Sequence, residues 1–214
     1  MTVAQRLAGI SRHFRQRRMA RFAAALGITA ETRVLDIGGT PDNWRLLAAP
    51  PRLVLLNTPR AAADLNGAPA WVAGDGRALP FRDAAFDVVF SNSVIEHVGD
   101  SRSQHRFASE VERVGRAYWV QTPNRWFPVE QHLLTPLVHW LPRRWQRALV
   151  PRFNWWQVLV PLSPDRREFY IDHYLRDVRL LAEPDLRALF PGARVLRERF
   201  LGITKSLVAA RGMK

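Results

Sequence analysis

Two short segments of the sequence each place a glutamate close to a histidine. Glu96 directly precedes His97, and Glu130 lies two residues before His132. A neutral imidazole can take a proton from a hydroxyl group near physiological pH. We therefore interpret His97 and His132 as candidate general bases. Two alternatives remain open: structural histidines hydrogen-bonded inside the fold, and a site in which these four side chains ligate a divalent cation.

A second group of candidates follows the first predicted strand, in the segment D-I-G-G-T-P-D-N-W that begins at Asp36. Gly38 and Gly39 would let backbone amides approach a ligand closely. Asn57 lies about 20 residues further on, where α/β folds place a group that hydrogen-bonds a ribose. The third glycine of G-x-G-x-x-G is missing, which disfavours a nicotinamide dinucleotide. The alternative is a tight strand-to-helix turn without a ligand.

The third group lies in the segment G-D-G-R-A-L-P-F-R-D-A-A-F-D-V-V-F-S-N-S-V-I-E-H-V, residues 74–98. Here Asp75 and Gly76 follow one predicted strand, and Ser91 and Asn92 end the next. Taken singly, these are typical turn or cap residues, and Glu96 would form a surface ion pair with an arginine. Taken together, they mark the carboxyl ends of successive strands, where open α/β sheets bind ligands.

The elements that would position these residues alternate between strands and helices. Periodicity predicts a helix over residues 3–26 ended by Gly27, a second over 103–114 and a third near 183–190. Apolar runs predict strands at 33–37, 53–57, 71–75, 86–92, 117–123, 193–200 and 203–210. The first five suit a parallel sheet, and the last two, only two residues apart, suit an antiparallel hairpin.

Residues 124–167 interrupt this alternation and read as an insertion of short helices over the carboxyl edge of the sheet. The segment is rich in arginine and proline and holds five of the eight tryptophans, namely Trp126, Trp140, Trp145, Trp155 and Trp156. Tryptophan and arginine suit an interface with anionic lipid, and so does the arginine-rich helix at residues 3–26. The alternative is that the tryptophans form a small core within the insertion and that the helix packs on the sheet.

Residues 74–98 resemble class I S-adenosyl-L-methionine-dependent methyltransferases, which carry G-D-x-x-x-L-P-F, F-D-V-V and E-H-V segments. The segment Q-T-P-N-R-W-F-P-V-E-Q-H at 121–132 and the ending R-E-R-F-L-G-I-T-K-S-L-V-A-A resemble a bacterial branch of that family, the type 11-like one. The resemblance implies a Rossmann-like α/β fold with a seven-stranded, mostly parallel sheet. Residues 1–29 would form a basic amphipathic N-terminal helix and residues 30–214 the methyltransferase domain, with 124–167 as its lid.

The same resemblance implies roles for the matching positions. Asp36, Gly38 and Gly39 would form the loop beneath the methionine part of the cofactor, and Asn57 would meet the ribose hydroxyls. Further sites are Asp75 and Gly76 beside the adenine, and Ser91 and Asn92, whose backbone carbonyls would hold the cationic amine.

This sequence departs from the family pattern in two places, the shortened D-I-G-G-T-P loop and Asn57 in place of an acid. An amide can still accept one ribose hydroxyl and donate to the other. Some relatives bind a metal with a Glu-x-x-Glu-His pattern, but its first position here is Ser93, so no metal is predicted.

Composition excludes several kinds of site and indicates where the protein works. The 214 residues contain no cysteine, which excludes disulfides and cysteine-ligated metal centres. We predict a cytoplasmic enzyme, since there is no apolar run long enough to span a bilayer and no signal-peptide pattern. The formal charge of +13, with 30 of 32 basic residues arginine, would attract polyanions unless it reflects only a codon bias.

The sequence does not identify the methyl acceptor. We expect a small-molecule, glycan or lipid-linked acceptor, with peripheral contact to an anionic membrane. Nucleic acid is not the expected partner, because no separate RNA-binding domain and no N-P-P-Y tetrapeptide is present. Two alternatives remain: an RNA methyltransferase, and a basic membrane- or nucleic-acid-binding module that kept the fold without catalysis.

Overall fold

The computed structural model describes residues 3–59, 70–152 and 164–213. The strands are β1 (Arg33–Ile37), β2 (Arg52–Asn57), β3 (Trp71–Ala73), β4 (Phe86–Asn92), β5 (Gly115–Pro123), β6 (Val129–Glu130), β7 (Thr135–Pro136), β8 (Arg194–Phe200) and β9 (Ile203–Arg211). The helices of the described residues are α1 (Val3–Leu26), α2 (Pro41–Trp44), α3 (Ser101–Val114), α4 (Arg143–Leu149), α5 (Pro164–Asp177) and α6 (Glu183–Leu189). Single 3₁₀ turns cover Ile95–His97 and Val138–Trp140.

Seven of the strands form one sheet in the order β3-β2-β1-β4-β5-β9-β8. Strands β1 to β5 are parallel to their neighbours, and β9 runs antiparallel between β5 and β8. The prediction of a mostly parallel Rossmann-like sheet with a terminal antiparallel hairpin is therefore confirmed. Because the chain enters the sheet at β1 and builds outward in both directions, the carboxyl ends of β1 and β4 meet at a crevice.

Strand β4 shows why the sheet is buried on both faces. Val88 and Phe90 point to one face, where they pack with Phe22 of α1. Val89 points to the other face, where it packs with Phe107 of α3. Its near-continuous apolar sequence thus serves two cores, as expected for a central parallel strand.

Helix α1 packs onto the sheet through its second half. Met19, Phe22 and Leu26 are buried, and Gly27 ends the helix with a positive φ of 62°. The first part of the predicted stripe, the side chains of Val3, Leu7 and Ile10, lies outside the described residues. In the part of the chain that the structure describes, no helix is long and apolar enough to cross a membrane.

The insertion differs from its prediction in two respects. Its described part contains a two-stranded ribbon, β6–β7, which precedes the short helix α4. Trp126, Trp140 and Trp145 are 58%, 43% and 52% exposed, so the interpretation that these three form a small core is wrong. The core under this segment is instead mainly aliphatic, with one tyrosine, and joins it to α5 through Leu133, Val138, Val150, Ile171, Tyr174 and Val178. Trp155 and Trp156 lie outside the described residues.

Candidate active site

A pocket of about 490 Å³ opens at the carboxyl ends of β1, β2, β3 and β4. Its volume lies in the range of small-molecule and cofactor sites. Four of the predicted cofactor residues line it, namely Gly38, Asn57, Asp75 and Gly76. His97 lines the same pocket. The strand ends therefore bring together residues that lie up to 59 positions apart in the sequence.

The glycine loop after β1 requires glycine at both positions. Gly38 has a positive φ of 75°, and a Cβ there would lie 2.4 Å from Cγ2 of Val94. A Cβ on Gly39 would lie 1.8 Å from Oδ2 of Asp36. Both clashes are with side chains of the protein itself, so the fold requires glycine at these positions. Gly38 lines the pocket with its backbone, whereas Gly39 does not line it.

Asp36 lies behind the loop and does not line the pocket. Its side chain is fully buried and accepts a hydrogen bond of 2.7 Å from Nε1 of Trp44. Burial raises the pKa of Asp36 to about 8, and the Trp44 hydrogen bond offsets this only in part. Asp36 therefore supports the loop in its position beneath the pocket, and direct contact with the cofactor stays a prediction.

Asn57 is the last residue of β2, and its side chain links the end of this strand to the glycine loop. Its Oδ1 accepts a hydrogen bond of 3.0 Å from the Thr58 amide, and its Nδ2 donates to the Gly39 carbonyl at 3.4 Å. A side-chain amide has two acceptor lone pairs and two N–H donors. Asn57 can therefore still accept from one ribose hydroxyl and donate to another.

Asp75 faces the pocket but shares its carboxylate with Arg77. The Arg77 amide and guanidinium donate to it at 2.6 to 3.0 Å, and this hydrogen bonding lowers the pKa of Asp75. Both side chains are nearly half exposed, so such a pair is worth under about 1 kcal/mol. A ligand amine that binds Asp75 can displace the Arg77 side chain at little cost.

Ser91 and Asn92 lie at the end of β4 but do not line the pocket. Ser91 is fully buried, and its hydroxyl donates to the Ile37 carbonyl at 3.4 Å. The Asn92 side chain accepts from Arg18 of α1, which also forms a two-pronged ion pair with Glu198. The predicted role of the two backbone carbonyls stays a prediction.

The structure brings His97 and His132 into contact. Their Nε2 atoms are 3.1 Å apart, and Nδ1 of His132 lies 2.6 Å from Oε1 of Glu130. Glu96 is fully buried beside them, with one carboxylate oxygen 3.9 Å from Nε2 of His132. The alternative interpretation, in which Glu96 forms a surface ion pair with an arginine, is therefore wrong. We call these four residues the histidine–glutamate cluster.

Burial controls the charge state of this cluster. It lowers the pKa of His97 to about 3, so that ring is neutral, and it raises the pKa of Glu96 to about 7. Burial also acts to lower the pKa of His132, but the hydrogen bond to Glu130 and the charges of Glu130 and Glu96 outweigh it. The net effect on His132 is a raised pKa, so this ring holds a proton more readily than His97 does.

Two further residues of the pocket were not predicted from the sequence. His173 stacks on His97 with ring centroids 5.4 Å apart and planes 6° apart, and its Nδ1 lies 2.9 Å from Oδ2 of Asp177. Both residues line the pocket. Their spacing of four positions on one helix was the available signal, because such pairs share a helix face.

Comparison with known proteins identifies a methyltransferase pattern in the segment that contains several of the pocket residues. Residues 50–117 match the model of a family described as a methyltransferase domain. A comparison with curated proteins gave no match.

Three solved structures illustrate the shared fold. A candidate zinc-dependent alcohol dehydrogenase from Rhodobacter sphaeroides is 14% identical, with a TM-score of 0.60 over 91% of this chain and 87% of that one. A chain in the complex between the Haloferax volcanii Trm112 methyltransferase activator and a candidate methyltransferase is 16% identical, with a TM-score of 0.58 over 97% and 92%. Magnesium protoporphyrin IX methyltransferase from Synechocystis is 13% identical, with a TM-score of 0.54 over 99% and 88%.

At these identities the structural likenesses show the fold alone. The family match adds evidence from the sequence. The matched segment, residues 50–117, contains β2, β3 and β4 and includes the pocket residues that follow β2 and β3. The resemblance predicted from the sequence is thereby confirmed: the chain has the Rossmann-like fold of the class I methyltransferases, and residues 50–117 carry the sequence pattern of a methyltransferase domain.

Proposed function

We propose that this protein transfers a methyl group from S-adenosyl-L-methionine to a small-molecule or carrier-linked acceptor. The observation that carries the proposal is the pocket itself, where Gly38, Asn57 and Asp75 adjoin His97. The Synechocystis methyltransferase of the same fold was crystallised with bound S-adenosylhomocysteine, the product of such a reaction.

The residues present fit this cofactor. The glycine loop leaves no room for side chains, so its backbone can approach the amino-acid part. Asn57 has the donor and acceptor that a ribose diol needs, and Asp75 can accept a hydrogen bond from an exocyclic amine. When bound, the cofactor supplies an electrophilic methyl group on a sulfonium.

The chain's own contribution is to hold the acceptor and to take its proton. His97 lines the pocket and contacts His132 through its Nε2 atom. Because the pKa of His132 is raised whereas that of His97 is lowered, the His132 ring, which Glu130 holds in place, is the better acceptor of the proton. Alignment of the two reacting groups would supply most of the acceleration, because methyl transfer from a sulfonium needs no covalent intermediate with the protein.

We further propose that the acceptor is lipid- or glycan-linked. The support is the surface of the insertion, where Trp126, Trp140 and Trp145 are exposed. Within residues 124–152 the sole acidic residue is Glu130, which is buried, whereas the arginines are exposed. A surface of this kind suits a phosphate-bearing or membrane-bound substrate.

Calorimetric titration with S-adenosylhomocysteine tests the proposal. The wild-type protein should bind it, and Asp75→Ala should weaken binding by about 1–3 kcal/mol, about 5- to 150-fold, because a hydrogen bond from the ligand to a carboxylate is lost. Asp83→Ala, which removes an exposed carboxylate in the same family segment, should leave the affinity unchanged.

The outcomes separate the alternatives. If the wild type binds no S-adenosylhomocysteine, the chain is a basic binding module that has the fold without the activity. If the wild type binds and Asp75→Ala binds equally well, Asp75 does not belong to the site.

A further inference from the structure

Glu96 and Glu130 are an unusual pair because both are almost completely buried and lie at the same place. Their exposed fractions are 0% and 1%. Buried charges are costly unless they are paired or coordinate a metal. Among the described residues, no arginine or lysine forms an ion pair with either carboxylate, and the facing basic group is His132. One imidazole carries at most one positive charge against two carboxylates.

Three potential ligand atoms converge at this point. Glu96, His97 and His132 each offer one such atom, and the three atoms lie within 4.8 Å of one another. Nε2 of His97 and Nε2 of His132 are 3.1 Å apart, and Oε1 of Glu96 lies 3.9 Å from the second of them. A tetrahedral ion with bonds of about 2.0–2.1 Å holds neighbouring ligand atoms about 3.3 Å apart. The two distances that end at Nε2 of His132 lie on either side of that value.

Hydrogen bonds from neighbouring groups orient Glu96 and His132. Thr122 donates to Oε2 of Glu96 at 3.0 Å, and Oε1 is buried without a hydrogen-bond partner among the described residues. Glu130 binds Nδ1 of His132 at 2.6 Å, which turns Nε2 towards the cluster. Its other oxygen accepts from the Leu133 amide at 2.6 Å. A carboxylate behind a histidine is the usual outer partner of a metal-bound imidazole.

We propose that Glu96, His97 and His132 bind one divalent transition-metal ion of the zinc class. Two imidazoles and one carboxylate suit such ions and leave a position open, as in catalytic zinc sites. The charge of the ion balances the two buried carboxylates when both rings are neutral. This differs from the expectation drawn from Ser93, because three converging ligands suffice without a fourth at that position.

His97 also lines the cofactor pocket, so the ion would adjoin the site of methyl transfer. Its open position would take a water molecule or a hydroxyl oxygen of the acceptor, whose pKa a bound metal lowers. The histidines would then be ligands, and the ion would promote loss of the acceptor's proton to solvent. That role rests on the proposed function, whereas binding of the metal does not.

Titration of the 214-residue chain with Co²⁺ and Zn²⁺ after chelator treatment tests the proposal. The wild type should bind one equivalent of Co²⁺ with the absorption of a tetrahedral ion, and Zn²⁺ should displace it. Glu130→Gln should weaken binding about 10- to 100-fold, because it removes the outer partner of His132. Glu96→Gln should weaken it at least as much. His105→Gln, which removes an exposed histidine on α3, should leave the affinity unchanged.

Absence of stoichiometric Co²⁺ binding in the wild type would overturn the proposal, and so would wild-type affinity in Glu96→Gln. If circular dichroism shows that Glu96→Gln does not fold, NMR of the Co²⁺-loaded wild type tests the metal site instead. Two hyperfine-shifted imidazole N–H signals support the site, and none overturns it. Binding of S-adenosylhomocysteine, measured separately, reports on the proposed function whether or not a metal binds.

Discussion

At the scale of single residues, burial rather than charge pairing controls the ionisation of Asp36. The carboxyl group is fully buried and faces the indole of Trp44, and its pKa is raised to about 8. In the unfolded chain the same group has a pKa near 3.9. Between these two values the folded protein keeps a proton that the unfolded chain releases. The free energy of unfolding must therefore fall as the pH rises through this window.

Asp36→Asn should remove this pH dependence, because an amide accepts from Trp44 without ionising. At pH 9 we expect the variant to be more stable than the wild type, by up to about 6 kcal/mol, since each pKa unit is worth about 1.4 kcal/mol. The measurement is thermal unfolding from pH 4 to 9. Glu96 contributes to both curves, so the difference between them isolates Asp36.

The matched control is Asp83→Asn, because Asp83 is 81% exposed. Its curve should follow that of the wild type. Parallel curves for Asp36→Asn and the wild type would mean that Asp36 is ionised in the folded protein.

The residues of the candidate site differ in how far the sequence reveals them. Gly38, Asn57 and Asp75 could be predicted because each follows a strand directly, and the ends of parallel strands meet at one edge. The burial of Glu96 could not be predicted, because it depends on Thr122 in β5 and on the insertion above it. Local spacing describes neighbours along one element and says nothing about partners from distant ones.

At the scale of elements, α1 belongs to the core of the fold through its second half. Phe22 is fully buried and meets the rings of Trp44, Phe90 and Trp119 edge-on, at centroid distances of 4.8 to 5.9 Å. This packing explains how a helix with so many arginines stays attached to the sheet. It also means that removing α1 would expose the apolar face of the central strands.

Phe22→Ala should lower the free energy of unfolding by about 3–5 kcal/mol, the usual cost of removing a buried phenylalanine ring. Phe14→Ala, on the same helix, is the control. Its ring is partly exposed and meets Phe200 at 5.8 Å, so the loss should be clearly smaller. Urea unfolding of both variants measures the difference, and equal losses would contradict the core role of Phe22.

Some strands were predicted with their correct bounds, and others were missed. Strands β1 and β4 have the predicted bounds, because each is an apolar run that ends in a clear turn signal. The ribbon β6–β7 was missed, because two-residue strands have no periodicity to detect. The three tryptophans of the insertion were open to two interpretations, since exposure of an aromatic residue depends on packing that the sequence pattern does not contain.

At the scale of the whole molecule, the charge of +13 is distributed unequally between buried and exposed groups. The charge of Arg18 is neutralised inside the fold, because its side chain is only 10% exposed and forms an ion pair with Glu198. The insertion is different, because Arg144 and Arg147 are exposed on α4 beside Trp145. Arg125 lies over the ring of Trp126, 5.3 Å from its centroid. Exposed aromatic and cationic side chains thus share this surface.

This surface predicts peripheral binding to anionic membranes. Each arginine near such a membrane contributes on the order of 1 kcal/mol, which salt screens, and each tryptophan adds burial of its apolar ring. We expect co-sedimentation with vesicles that contain anionic lipid at low salt, and its loss at high salt. Trp126→Ser together with Trp145→Ser should reduce partitioning about tenfold or more, because apolar area no longer enters the interface.

Trp71→Ser is the matched control for that experiment, because Trp71 is 42% exposed but lies on β3 at the edge of the sheet. Its partitioning should equal that of the wild type, which separates binding through the insertion from a general effect of removing tryptophan. Deletion of α1 is unsuitable here, since Met19, Phe22 and Leu26 are part of the core. Equal partitioning onto neutral and anionic vesicles, or none onto either, would leave the arginines a role in solubility and steering alone.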